Sequence, residues 1–284
     1  MTDTQITLPD GRILAYTDIG DPGGTCVMHF HGAPGSRLLL DSYDNEFAEC
    51  GLRVVSPDRP GYGGSSPQPG RSMEDWPDDV EALADELGID QFVVLGSSSG
   101  GPYTVASCAL LPHRVLGGLV IAGASDMSWH DAHIGYPEVE LDIMAFADET
   151  DAVAYCEERF GQDGSGFFDE DPLDWPEPDE EFLADEEMSE HVVRTMSEAF
   201  AQGIAGYAQD MVIQGRPWPF DPTDISCSVR VVHGELDDLS PLAHSRHTAE
   251  LIPDAEFEIV PGHGHASIMD EFPQLTDDFV QSVT

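Results

Sequence analysis

Eight short apolar runs, each bounded by turn signals, dictate most of what this chain can fold into. They cover residues 5–8, 13–19, 25–30, 52–56, 92–95, 115–121, 228–233 and 256–260. Several are almost continuous in Val, Leu and Ile. That is the pattern of strands buried on both faces, as in a parallel sheet, rather than the alternation of a half-exposed strand. Pro9-Asp10-Gly11 joins the first two runs and reads as a hairpin turn.

Helical periodicity fills the gaps between the later runs. Ser72 reads as an N-cap with Asp75 three residues on; Trp76, Val80, Leu83 and Leu87 then recur at helical spacing, and Gly88 is a stop. Residues 100–111 end at Pro112, and residues 241–251 end before Pro253. Strands alternating with helices predict an α/β fold, a mostly parallel sheet of eight strands with crossover helices.

The alternation breaks over residues 126–205. This span holds 24 acids and two bases, Arg159 and Arg194, giving it half of the chain's net charge of −44. Apolar residues still punctuate it (Phe167, Phe168, Leu173, Trp175, Phe182, Leu183), and Val192, Val193, Met196 and Phe200 keep helical spacing. It reads as an acidic helical cap inserted into a core domain made of residues 1–125 and 206–284.

Charge excludes some partners. All 11 basic residues are Arg, against 32 Asp and 23 Glu. Such a chain repels nucleic-acid phosphates and anionic membrane surfaces. It is not a disordered chain, because 40% of its residues are apolar. Abundant Asp without Lys resembles the proteomes of salt-accumulating halophiles, in which molar salt screens surface repulsion to within about 3 Å. Five cysteines without a C-x-x-C pattern read as reduced thiols of a cytoplasmic protein. The polar start and the lack of any long apolar run predict neither a signal peptide nor a membrane span. The oligomeric state is left open.

The chemistry centres on Gly96-Ser97-Ser98-Ser99-Gly100, a G-x-S-x-G segment between a predicted strand and a predicted helix. A sharp turn there lifts the central hydroxyl above the sheet, and flanking glycines let neighbouring backbone pass. Ser97 and Ser99 are rivals, but only Ser98 has glycine two positions away on both sides. A serine needs a base, and the base an orienting acid, in the chain order Ser, acid, His. Asp237 and Asp238 follow one downstream run, and His263 and His265 follow the last; Asp126 is a further acid candidate. An acyl-transfer site also needs donors for the developing oxyanion, each worth about 3–4 kcal/mol. The backbone N–H of Ser99 is one candidate. Ala33, in a loop expected to open a helix, is the other, since Pro34 has no N–H.

HGAPGS at 31–36, DRPGYGGSS at 58–66, LGSSSGG at 95–101, HGELD at 233–237 and PGHGH at 261–265 together resemble the landmarks of the α/β-hydrolases, in the branch with a helical cap. GIAGYAQD at 203–210 is also similar. The resemblance implies a triad of Ser98, Asp237 and His265, with an oxyanion hole at Ala33 and Ser99. It implies hydrolysis of a small-molecule carboxylic ester through an acyl-enzyme, without a cofactor. Two readings stay beside it. One is an aminopeptidase resembling proline iminopeptidases, which hold an amine-terminated peptide substrate with cap acids. The other is a non-hydrolytic sensor that retains the fold. The pairs His29/His31 and His263/His265 lack a third ligand at metal spacing, so no metal site is expected. Asp58 and Arg59 are expected to brace the loop beside the site.

Overall fold

The computed structural model describes residues 4–168 and 175–284, the side chain of Phe168 excepted. Leu173, assigned above to the cap's apolar set, lies outside the described residues, as does the side chain of Phe168.

All eight runs are strands of a single sheet: β1 (Thr4–Thr7), β2 (Ile13–Gly20), β3 (Thr25–Phe30), β4 (Leu52–Pro57), β5 (Phe92–Ser97), β6 (Val115–Ile121), β7 (Ser228–Gly234) and β8 (Glu256–Val260). The order is β1-β2-β4-β3-β5-β6-β7-β8, with β2 antiparallel to both its neighbours and every other pair parallel. The apolar runs are continuous because each strand serves two cores. In β5, Phe92 and Val94 join the cluster on one face, while Val93 and Leu95 join the cluster on the other. Strand β3 divides likewise, with Met28 and Phe30 against Val27. Side chains alternate across a strand, so a residue pair that looks like a plain hydrophobic run fills two layers at once.

Helices α2 (Asp75–Glu86) and α3 (Gly101–Leu110) supply Trp76, Val80, Leu83 and Tyr103 to the first layer; α1 (Asp44–Glu49) and α10 (Phe272–Val283) supply Phe47, Phe272 and Phe279 to the second. Helix α9 (Leu242–Leu251) follows β7. Helix α2 starts three residues after Ser72, whose N–H and hydroxyl both bond the Asp75 carboxylate. Gly88, at φ +66°, ends it as expected. The loop after β3 does not open a helix directly: α1 begins only at Asp44.

Between β6 and β7 lie α4 (Glu138–Met144), α5 (Glu149–Phe160), α6 (Glu177–Ala184), α7 (Glu186–Ala199) and α8 (Ala205–Gln214). Ile143, Cys156, Phe160, Phe200, Tyr207 and Met211 form a third hydrophobic cluster there, which includes Tyr62 from the core loops. Of the expected apolar set at the end of the cap, Phe200 is buried and Val192 and Met196 are half-buried. The buried residues of α7 are His191, Thr195 and Ala199, whereas Val193 is exposed. His191 is tolerated there because its Nε2 bonds the Leu39 carbonyl oxygen (2.9 Å), whereas the buried Thr195 hydroxyl has no hydrogen-bond partner among the described residues.

Candidate active site

The ends of β3, β4, β5, β7 and β8 converge at the carboxyl edge of the sheet, the edge where open α/β folds place their ligands. Between β5 and α3 the chain turns so sharply that Ser98 takes φ +51°. A non-glycine residue with positive φ is strained and persists only where its surroundings impose it. The glycines on either side explain how. A Cβ on Gly96 would lie 2.2 Å from Thr104 Oγ1, and one on Gly100 would lie 2.0 Å from the Phe30 carbonyl oxygen. Gly32 passes so near that a Cβ there would sit 3.2 Å from that of Ser98. Of the three consecutive serines, Ser97 and Ser99 are buried and Ser98 keeps partial exposure.

Asp237 lies just past β7. Its Oδ1 accepts from the N–H groups of Leu239 (3.0 Å) and Ser240 (2.9 Å), and its Oδ2 lies 2.8 Å from His265 Nδ1. Burial alone would raise the Asp237 pKa, but the charge and hydrogen bond of His265 bring it below the usual carboxylate value. Burial likewise works against a charged His265, and Asp237 outweighs it, holding the imidazole pKa above 6.5, with Asp179 and Glu140 acting in the same direction. With Nδ1–H donating to the Asp237 carboxylate, the neutral ring carries its lone pair on Nε2, the tautomer a general base toward a serine hydroxyl requires.

The rival residues are placed elsewhere. Asp238 is exposed. Asp126 is bonded by the N–H groups of Ser128 and Trp218. His263 bonds the Ser267 carbonyl and lies 3.6 Å from Glu271.

Arg59, fully buried, donates to the carbonyl oxygens of His31 and Gly32, and its backbone N–H donates to His31 Nε2 (3.1 Å). It thereby fixes the loop that carries Ala33, where the Ala33–Pro34 peptide is cis. The other side of the same guanidinium donates to Asp210 on α8 (2.8 Å), which also accepts from Arg71 and from the Tyr103 hydroxyl (2.7 Å). Asp58 accepts from the backbone N–H and the guanidinium of Arg37, and Arg37 reaches on to Glu198 of α7. Three of the 11 arginines are therefore buried around this latch.

Residues that the motifs did not single out also act here. Asp179 of α6 is buried and accepts from the backbone N–H groups of His265 and Ser267 (2.8 Å each) and the Ser267 hydroxyl (2.7 Å). One acid of the densest acidic stretch thus shapes the loop that carries His265. Nothing local in the sequence separates Asp179 from its 23 acidic neighbours within 126–205. Glu140 of α4 is half-buried and electrostatically coupled to His265, and burial raises its pKa to about 7. His29 and His31 are consumed internally: His29 Nδ1 bonds Ser56, and burial lowers its pKa to about 3. His31 bonds Gly32 O and receives the Arg59 N–H.

A parallel sheet with a strained serine turn after its central strand and an aspartate–histidine pair after its last two strands defines an α/β-hydrolase. The alpha/beta hydrolase family model matches residues 27–279, and the chain belongs to that family. It is 27% identical to a non-heme haloperoxidase of Rhodococcus erythropolis over 273 residues, covering 92% of each chain. It is 32% identical to a bifunctional esterase/perhydrolase of Acinetobacter calcoaceticus over 120 residues, 42% of this chain and 44% of that one. The chain spans between about a third and a half of the length of several such relatives. Among solved structures, a thermophilic esterase from Thermogutta terrifontis superposes with a TM-score of 0.71 at 24% identity, covering 100% of this chain and 99% of the other. Among the described residues, no helix is long and apolar enough to cross a membrane.

Proposed function

We propose that the protein is a serine esterase acting on a small-molecule carboxylic ester, with Ser98 as nucleophile, His265 as base and Asp237 as orienter. The observation that carries this reading is the strained, partly exposed Ser98 at the same sheet edge as a histidine paired at 2.8 Å with a buried aspartate. Esterase activity in a relative's name supports it.

In this reading His265 Nε2 takes the Ser98 proton as Oγ attacks the ester carbonyl. The backbone N–H groups of Ala33 and Ser99 hold the oxyanion. The tetrahedral species collapses as His265 returns its proton to the leaving alkoxide, giving an acyl-enzyme and an alcohol. Water, deprotonated by His265, then releases the acid and regenerates Ser98. The segment 126–205 serves as the lid, and the acidic surface serves in a salt-rich cytoplasm. No cofactor or metal enters any step.

A panel of p-nitrophenyl esters beside proline p-nitroanilide, in molar KCl, tests the reading. Ester turnover supports it; turnover of the anilide alone would favour the aminopeptidase, and saturable binding without turnover the sensor. The Rhodococcus relative, matched over 92% of its length, favours one further reading, a peroxide-dependent activity, and adding peroxide and halide to the panel tests it.

A further inference from the structure

His233, the histidine of the HGELD segment, takes no part in the proton transfers of the proposed reaction. It lies at the end of β7, fully buried, four residues before Asp237. Its contacts close a ring with that aspartate. Nε2 lies 3.1 Å from the Ser240 carbonyl oxygen and 3.5 Å from Asp237 Oδ2, and Nδ1 lies 2.8 Å from Ser245 Oγ on α9. Ser240 in turn gives its backbone N–H to Asp237 Oδ1 at 2.9 Å. Ser240 is thus held from both ends, its N–H by Asp237 and its carbonyl by His233.

The surroundings decide which ring nitrogen carries the proton. Nε2 faces a carbonyl oxygen and a carboxylate oxygen, neither of which donates, so the hydrogen is on Nε2. Nδ1 then accepts from the Ser245 hydroxyl. Burial keeps the imidazole pKa below its ordinary value against the pull of Asp237, so the ring is neutral at and above pH 7. A charged ring would compete with His265 for the carboxylate; a neutral one offers only a dipole. Oδ2 is the oxygen that lies 2.8 Å from His265 Nδ1. The positive end of the His233 N–H dipole therefore sits beside the carboxylate oxygen on which the orientation of the base depends.

We propose that His233 is a positioning residue for the triad: its Nε2–H, bonded to the Ser240 carbonyl and beside Asp237 Oδ2, holds the Asp237 carboxylate in the orientation that bonds His265. The proposal rests on the esterase reading for the role of that pair. Ser245 of α9, by setting the His233 tautomer, belongs to the same support.

Three variants read it on the best ester of the panel. His233→Leu removes the donor, His233→Gln brings an amide N–H to the place of Nε2, and a double variant combines His233→Leu with Asp237→Asn. His233→Leu should lower kcat roughly ten- to hundredfold, with KM changed by less than about twofold. The substrate ratio, that is, kcat/KM for one ester of the panel over another, is set by the pocket and should not move. His233→Gln should recover most of the lost kcat. Once Asp237→Asn has removed the carboxylate, His233→Leu should cost less than about twofold more, because the group through which it acts is gone. An unchanged kcat in His233→Leu overturns the proposal. So does a loss that His233→Gln fails to recover, or a loss of the same size with and without the Asp237 carboxylate. If His233→Leu does not fold, His233→Asn, polar but too short to reach Ser240, replaces it. If no ester is turned over, the esterase reading falls instead, and the pair is read directly. The proton between His265 Nδ1 and Asp237 gives a far-downfield NMR resonance at a pH where His265 is charged. That resonance should move upfield or vanish in His233→Leu and persist in His233→Gln; an unchanged resonance in His233→Leu overturns the proposal.

Discussion

The floor and the roof of the site treat polar groups in opposite ways. On the floor, Asp237 accepts two backbone N–H groups and the His265 imidazole, and Arg59 donates to the carbonyls of His31 and Gly32 and to Asp210. On the roof, the hydroxyls of Tyr62 and Tyr207 are buried and lack such partners among the described residues. Groups the protein satisfies itself hold geometry before any substrate arrives. Groups it leaves unsatisfied can do little for stability and are available for recognition. Between the two regions stands the latch of Arg59, Arg71 and Asp210, which places buried cations of a chain with only 11 where the helical segment meets the core.

The largest effects should come from breaking the floor. Ser98→Ala should lower kcat by roughly four to six orders of magnitude with the fold intact, and Asp237→Asn by roughly four, measured on the best ester of the panel. Neither should change the ranking of substrates by residual activity or binding. A changed ranking would mean that floor and roof are not separable. Breaking the latch should read in stability instead. Asp210→Ala leaves two guanidinium groups buried without a counter-charge and should cost about 3–5 kcal/mol in denaturant unfolding. The Asp210 pKa is depressed in the fold, so its contribution is complete above the ordinary carboxylate range and is lost as the pH falls below it. The wild type should therefore lose stability in acid more steeply than a variant without this carboxylate.

Smaller effects sharpen the comparison. Asp179→Asn keeps the shape but weakens charge-assisted bonds to the His265 loop, and should lower kcat about tenfold with little change in the substrate ratio. The pH profile should be subtler still. His265 is held above 6.5, and as base it must be neutral, so kcat/KM should rise with pH through an apparent pKa above that value. Glu140→Gln removes one of the charges that stabilise the imidazolium and should move the rise to lower pH. Finally, screening of the net charge of −44 predicts a thermal midpoint that climbs from dilute buffer to molar KCl.

Much of the floor is legible in the sequence because each part answers a local demand. Strand runs are continuous where two cores need filling, as in Phe92 to Leu95. The elbow needs Gly96 and Gly100 because carbonyl and hydroxyl oxygens lie about 2 Å from where a Cβ would be. Asp237 and His265 follow strands, so their chain order locates them. The roof is far less legible. Asp179 and Glu140 are two acids among 24 in their span, and only the packing of α6 and α4 distinguishes them. Helix α7 is only partly legible for the same reason, since Val193 is exposed while the polar His191 and Thr195 are buried. Asp210 sits in a family-like segment, but its meaning depends on Arg59 and Arg71, 151 and 139 residues away in the chain.

The central claim is that Ser98 is the residue acylated during ester hydrolysis. Mass spectrometry of the protein quenched during turnover of a p-nitrophenyl ester, with a fluorophosphonate-treated sample alongside, tests it most directly. The account predicts the acyl and phosphonyl adducts on Ser98, and neither adduct in Ser98→Ala. Adducts on Ser97, Ser99 or any other residue, or labelling that persists in Ser98→Ala, would contradict it.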